Sequence, residues 1–150
     1  MKIALVALCL VVLACSGEKK PEETTDNEPA VTYEKVSEES AAVINQLNNA
    51  AREINSACPV QIDPATRLDS AQVLSGTELQ FNYTLLTASR ADFDVAALEA
   101  TTKPGLIESV KTNTAMADLR DNSITMVYNY RDRNGEFLLK IPVTPLDYAQ

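Results

Sequence analysis

The sequence contains no histidine and no tryptophan, and it has only four glycines, three cysteines and 5% aromatic residues among 150 positions. Without imidazole there is no Ser-His or Cys-His nucleophile pair, no histidine-ligated zinc and no histidine proton shuttle. Most of the common hydrolase mechanisms go with it. Positive charge is scarce too: 13 Lys and Arg face 21 Asp and Glu, a formal charge of -8. That balance lacks the basic footprint of a nucleic-acid binder and chiefly favours solubility. The length excludes a multidomain enzyme and fits one domain. The 12 apolar residues from Ile3 to Ala14 are too few to cross a bilayer core of about 30 Å as a helix.

What is present begins with that apolar run. Preceded by Lys2, it has the form of an export-signal core. It closes as Val12-Leu13-Ala14-Cys15, and a polar Ser16-Gly17-Glu18 follows at once. This ending resembles that of bacterial lipoprotein precursors, whose signals finish with an aliphatic residue, a spacer, a small residue and Cys. The resemblance implies removal of residues 1–14, diacylation of the Cys15 sulfur and acylation of the new amino terminus. Two or more chains anchor durably where one is marginal. Ser16, standing where Asp would imply inner-membrane retention, implies the outer membrane.

Residues 15–35 read as the lipidated Cys and an acidic tether. The stretch SGEKKPEETTDNEPAVTY is almost devoid of large aliphatics, so it has little apolar surface to order itself with. As a flexible coil it would reach roughly 20 to 25 Å.

Residues 36–150 read as a single domain. Ser37 is placed to cap a helix, with Val36 stapling against Ala41. Val43, Ile44, Leu47, Ala51 and Ile54 then recur at helical spacing until Cys58-Pro59 stops the helix. Asp63-Pro64 predicts a turn. A hairpin follows, with arms of about 67–74 and 78–87 around Ser75-Gly76 and with Leu79, Phe81, Tyr83 and Leu85 alternating against polar residues. Ser89 or Asp92 can cap a second helix, broken at Pro104-Gly105, and residues 113–121 suggest one more helical turn. A second hairpin closes the chain. Ile124, Met126, Tyr128 and Tyr130 face one way, and Phe137, Leu139, Ile141 and Val143 answer them across Asn134-Gly135. Pro142 and Pro145 place the last strand at an edge. This order predicts a two-layer α+β domain: a four-stranded antiparallel sheet of two hairpins, covered on one face by helices.

With Cys9 in the signal and Cys15 lipidated, Cys58 is the sole thiol left, and it has no internal disulfide partner. The segment Cys58-Pro-Val-Gln-Ile-Asp-Pro-Ala-Thr-Arg-Leu-Asp69, continuing to Asn82-Tyr83-Thr84, is similar to one found in small uncharacterised bacterial secreted proteins and lipoproteins, a likeness that implies no activity. Cys58, Asp63, Thr66, Arg67 and Asp69 form a candidate polar network, read either as a ligand clamp or acid/base pair built on Asp63 and Arg67, or as a turn cap and a salt-bridged bend. Asp132 to Glu136 reads as a tight turn, because it lacks the alternating acids and distant Glu of a calcium loop. The sheet face opposite the helices is the candidate binding surface: Gln80, Asn82, Asn129, Arg131 and Lys140, with Val127 and Leu138 as aliphatic islands. Pairing of an edge strand with a partner is a second mode.

No pattern calls for a metal or a cofactor. The reading that follows is a non-enzymatic, lipid-anchored interaction or assembly-accessory module of the cell envelope, held to the membrane by its lipid and bound to a protein or envelope component, with no nucleic acid. The alternatives are a small histidine-independent enzyme or ligand site around Cys58, Asp63 and Arg67, and an inhibitor or immunity-type protein.

Overall fold

The computed structural model describes residues 33–149, with side chains from residue 38 onward. The signal, Cys15 and the tether up to residue 32 lie outside the described residues. The first element, α1 (Tyr33–Ala57), is already helical at Ser37, so that serine does not cap it. Its C-terminal stop falls where Cys58-Pro59 placed it. No helix among the described residues is long and apolar enough to cross a membrane.

Five strands follow: β1 (Val60–Asp63), β2 (Thr66–Ser75), β3 (Glu78–Leu85), β4 (Thr125–Arg131) and β5 (Phe137–Val143). They form one sheet in the order β1-β2-β3-β4-β5. Between β3 and β4 run a 3-10 turn (Arg90–Asp92), α2 (Val95–Thr112), a second 3-10 turn (Thr114–Met116) and α3 (Ala117–Asp121). A short α4 (Pro145–Tyr148) ends the described chain.

The α+β class holds, but the four-stranded antiparallel sheet does not: the described residues form five strands, and β3 and β4 pair in parallel. The parallel pair follows from the connection. A helical crossover carries the chain back to the starting end of β3, so β4 runs the same way. β1 escaped the pattern because its four residues sit between Pro59 and Pro64 and read as a turn.

Asp94 rather than Ser89 or Asp92 caps α2, its Oδ1 accepting from the amides of Ala96 and Ala97 at 3.0 and 3.2 Å. Ser89 and Asp92 instead form a capping box on the preceding 3-10 turn. The α2 helix runs unbroken through Pro104.

Helices and sheet share one apolar core. Leu47 and Ala51 from α1, Val110 from α2, Leu119 from α3 and Tyr148 from α4 join Leu79, Phe81, Met126, Tyr128, Ile141 and Val143 from the sheet. Gly76 lets the first hairpin close under α1, since a Cβ there would come within 3.2 Å of Ile44 Cγ1. Gly135 turns the second hairpin at φ +82°.

Phe137 and Leu138 exchange their expected places. Phe137 is 52% exposed, and Leu138, expected to face outward, is 1% exposed and part of the core. The pairing of β4 with β5 slips between Tyr130 and Arg131. A one-residue slip exchanges the faces of everything beyond it.

Candidate functional site

α1 packs on β2 while α2 packs on β5 and α4. The helix layer is therefore split over the flanks of the sheet, and the strands between keep an open place. There a cleft of about 470 Å³ forms, floored by Tyr83, Tyr128 and Tyr130 and walled by Leu98, Thr102, Leu106 and Ser109 of α2 and by Asn113 just after it. Ile62, Asp63 and Thr66 line it from the β1–β2 end.

The floor is a product of strand register. Phe81 pairs with Tyr128 and Tyr83 with Tyr130 across the parallel strands, which stacks their rings at centroid distances of 5.5 and 5.2 Å. Tyr83 and Tyr128 stack diagonally at 6.2 Å. Burial pushes the Tyr83 phenol up to about 12, helped by the negative charge a Cys58 thiolate would carry. Burial, then the neighbouring phenols, likewise pushes Tyr128 and Tyr130 upward. All three keep their protons at any physiological pH, so the floor offers neutral phenols beneath walls that mix Leu98 and Leu106 with Thr102, Ser109 and Asn113.

The Cys58 to Asp69 network divides in two. Arg67 donates from Nε to Asp69 Oδ1 at 2.5 Å, and Thr84 Oγ1 donates to Asp69 Oδ2, also at 2.5 Å. Asp63 stands apart from Arg67 and accepts the Ala65 amide at 2.7 Å, capping the β1–β2 turn. Of the two readings of these residues, the geometry is that of a turn cap at Asp63 and a salt-bridged bend at Arg67, with Asp69 and not Asp63 as the arginine's partner. Burial first, and then the Asp69 carboxylate, pushes the Cys58 thiol above its ordinary value. A raised thiol pKa is the opposite of what nucleophilic activation needs.

On the opposite sheet face, Asn82 Oδ1 accepts from Gln80 Nε2 at 2.8 Å and from Asn129 Nδ2 at 2.9 Å, and Asn82 Nδ2 donates to Ser70 Oγ at 3.0 Å. Gln80 and Asn129 are buried, Asn82 is half-buried, and Arg131 and Lys140 are exposed. Gln80 Oε1 has no hydrogen-bond partner among the described residues. The amides are mostly engaged with one another, which leaves the two cations as the accessible members of this surface.

The Asp132 loop is a tight turn. The fully buried carboxylate accepts from the amides of Asn134, Glu136 and Arg90 at 2.8, 2.9 and 2.9 Å. It ties the segment after β3 to the β4–β5 hairpin. Among the described residues no group of three or more acidic or thiol side chains is placed to hold a metal ion.

Sequence reading missed the cleft because its walls come from five separate stretches of chain. The one local sign was the alternation that sets Tyr83, Tyr128 and Tyr130 on a single face.

None of the curated proteins compared matches the chain. Among solved structures it is similar to a Pseudomonas aeruginosa protein classed as secreted, at 12% identity and a TM-score of 0.60 over 73% of this chain and 95% of that one. It is also similar to the type 2 secretion system pilotin EpsS of Vibrio vulnificus, at 12% identity and a TM-score of 0.59 over 75% and 96% of the two chains. The type II secretion system pilotin AspS of Vibrio cholerae matches at 14% identity and a TM-score of 0.57 over 75% and 97%. At these identities the likeness is one of fold. By sequence, the chain belongs to the family described as "Domain of unknown function (DUF8479)", whose profile covers residues 42–139.

Proposed function

We propose that this chain is a lipid-anchored accessory module of a cell-envelope assembly, acting by holding a protein partner. The observation that carries the reading is the fold it has in common with two secretion-system pilotins, over 75% of this chain and nearly all of theirs. The lipoprotein-like ending at Cys15 and the acidic stretch after it suit a domain held at a membrane with room to reach. The cleft over the tyrosine floor is the seat that such a partner would use.

The test places a photoreactive residue at Leu106 on the cleft wall, or at Lys140 on the opposite face, in the lipidated protein in its host. A specific adduct with an envelope protein from Leu106, lost when Cys15→Ser removes the anchor, supports the reading. Absence of any protein adduct from either position, with the protein folded and lipidated, overturns it.

A further inference from the structure

A sheet's outer strands carry backbone groups that invite pairing, and proteins guard them. Two stretches of edge in this sheet are guarded. On β5, Pro142 and Lys140 occupy the strand, and Arg90 Nη1 donates to the carbonyls of Phe137 and Leu138 at 3.3 and 3.1 Å. On β2, pairing with β1 ends at Leu68. Beyond it the Asn55 side chain closes on both backbone groups of Ala71, donating to its carbonyl at 2.8 Å and accepting its amide at 2.7 Å.

Among the described residues no side chain closes on the outer edge of β1, whose limits are its length of four residues, the charge of Asp63 and a register irregularity between Gln61 and Asp63. Val60, Gln61 and Ile62 carry no charge, Val60 is 37% and Ile62 57% exposed, and among the described residues β2 is the only strand that pairs with β1. No hydrogen bond outside the sheet reaches the backbone of residues 60–63 among the described residues. Ile62 also lines the cleft, so the open edge and the cleft are continuous.

From this asymmetry we propose that the outer edge of β1 receives an extended segment of a partner protein as a sixth strand. The backbone of that segment pairs with residues 60–63. Its side chains on the face of Ile62 are apolar, and one of them enters the cleft against the tyrosine floor. This chemistry fits β-strand addition, in which main-chain bonds give affinity and pockets for alternate side chains give selectivity. A second copy of this chain does not fit the edge. Four residues span about 13 Å and cover far less than the roughly 1,200 Å² of a stable interface, and each copy brings a charge of -8. A different protein has the cleft as additional contact.

The proposal rests on the reading that the chain holds a protein partner, and the experiment separates the two. In the lipidated protein in its host, photoreactive residues are placed at Gln61, at Leu106 and at Phe137 on the guarded edge. The partner segment captured from Gln61 is then scanned by cysteine pairing against position 61 in a Cys58→Ser background.

Adducts from Gln61 and Leu106 but not Phe137, with disulfides forming at every second partner residue, support the sixth strand. Ile62→Lys, at an exposed position, then lowers the Gln61 adduct by about tenfold with the melting temperature unchanged. Adducts from Leu106 alone, or pairing that recurs every three to four partner residues as a helix would give, overturn the strand and leave the partner-holding function standing. Silence from all three positions overturns the strand, and silence from Lys140 as well overturns both.

Discussion

Asn55→Ala tests whether edge guarding is a real energetic feature of this fold. Asn55 lies in the last turn of α1 and makes two bonds to Ala71, at 2.8 and 2.7 Å. Ala71 is 3% exposed, so removing the amide leaves a buried N–H and C=O without a strand or side-chain partner. Leaving each buried group unpaired costs about 1 to 3 kcal/mol, for a gross loss of about 2 kcal/mol at the lower end. Alanine is the better helix former by about 0.5 kcal/mol, which reduces the expected loss to about 1.5 kcal/mol. For a domain of this size that lowers the melting temperature by about 5 to 8 °C.

Asn48→Ala, at an exposed position in the middle of α1, supplies the reference for helix propensity alone and is expected to be neutral or slightly stabilising. Thermal melts and urea titrations of both variants give the difference directly, and amide exchange at Ala71 should quicken only in Asn55→Ala. Equal stability of the two variants, or unchanged protection at Ala71, refutes the clip and with it the argument that β1 is singled out by lacking one.

Acid sensitivity should centre on Asp132 and Asp147. Burial pushes the Asp132 carboxyl up, but the amides of Arg90, Glu136 and Asn134 outweigh it and hold it below its ordinary value. The Thr144 amide and hydroxyl do the same for Asp147 against a smaller burial effect, aided by Lys103. A depressed native pKa contributes stability that is present above the unfolded value of about 3.9 and is lost as pH falls through the native one. Melting temperatures should therefore drop steeply below about pH 4, and Asp132→Asn should be less stable at neutral pH with a shallower acid limb. An acid limb as steep as that of the parent would contradict the assignment.

Cys58 should alkylate more slowly in the folded chain than in urea at pH 8, because burial and Asp69 raise its pKa. A faster folded reaction would revive the thiolate enzyme. Thr102→Leu, placing an aliphatic side chain on a half-buried cleft wall residue, should gain about 1 kcal/mol and raise the melting temperature by about 3 to 5 °C while reducing capture at position 61. A stability loss would show that the cleft has no room to fill.

Much of the local structure was legible in the residues. Both hairpins and the end of α1 follow from alternation, turn residues and Pro59. The alternation also placed Tyr83, Tyr128 and Tyr130 on the core face. The parallel pairing was not legible, because the hydrophobic pattern of β3 and β4 is the same whichever way they run, and only the path of the crossover decides. The exchange of Phe137 with Leu138 was hidden for a related reason: a slip in register belongs to the pair of strands, and the sequence of β5 alone suits either face. At the candidate network, Arg67 had two acids within reach, and the fold gave it Asp69 because Asp63 is held by the turn that its own side chain caps.

The cleft and the open edge meet at Ile62, and their coincidence bears on what this fold is for. An isolated monomer under selection for stability alone has easy ways to improve: fill the space beneath α2, and put a lysine on β1. This chain leaves Tyr83 and Tyr130 half-buried under a gap between helices and leaves Ile62 57% exposed beside it, yet it clips the neighbouring stretch of β2 with Asn55 and covers β5 with Arg90. Side-chain bonds are thus applied to the edges of β2 and β5 and withheld at β1, whose exposed Ile62 lines the cleft. A chain that had merely tolerated poor packing would show no such selectivity. An accessory protein that holds a partner needs this distribution, because the surface that binds must stay incomplete until the partner completes it.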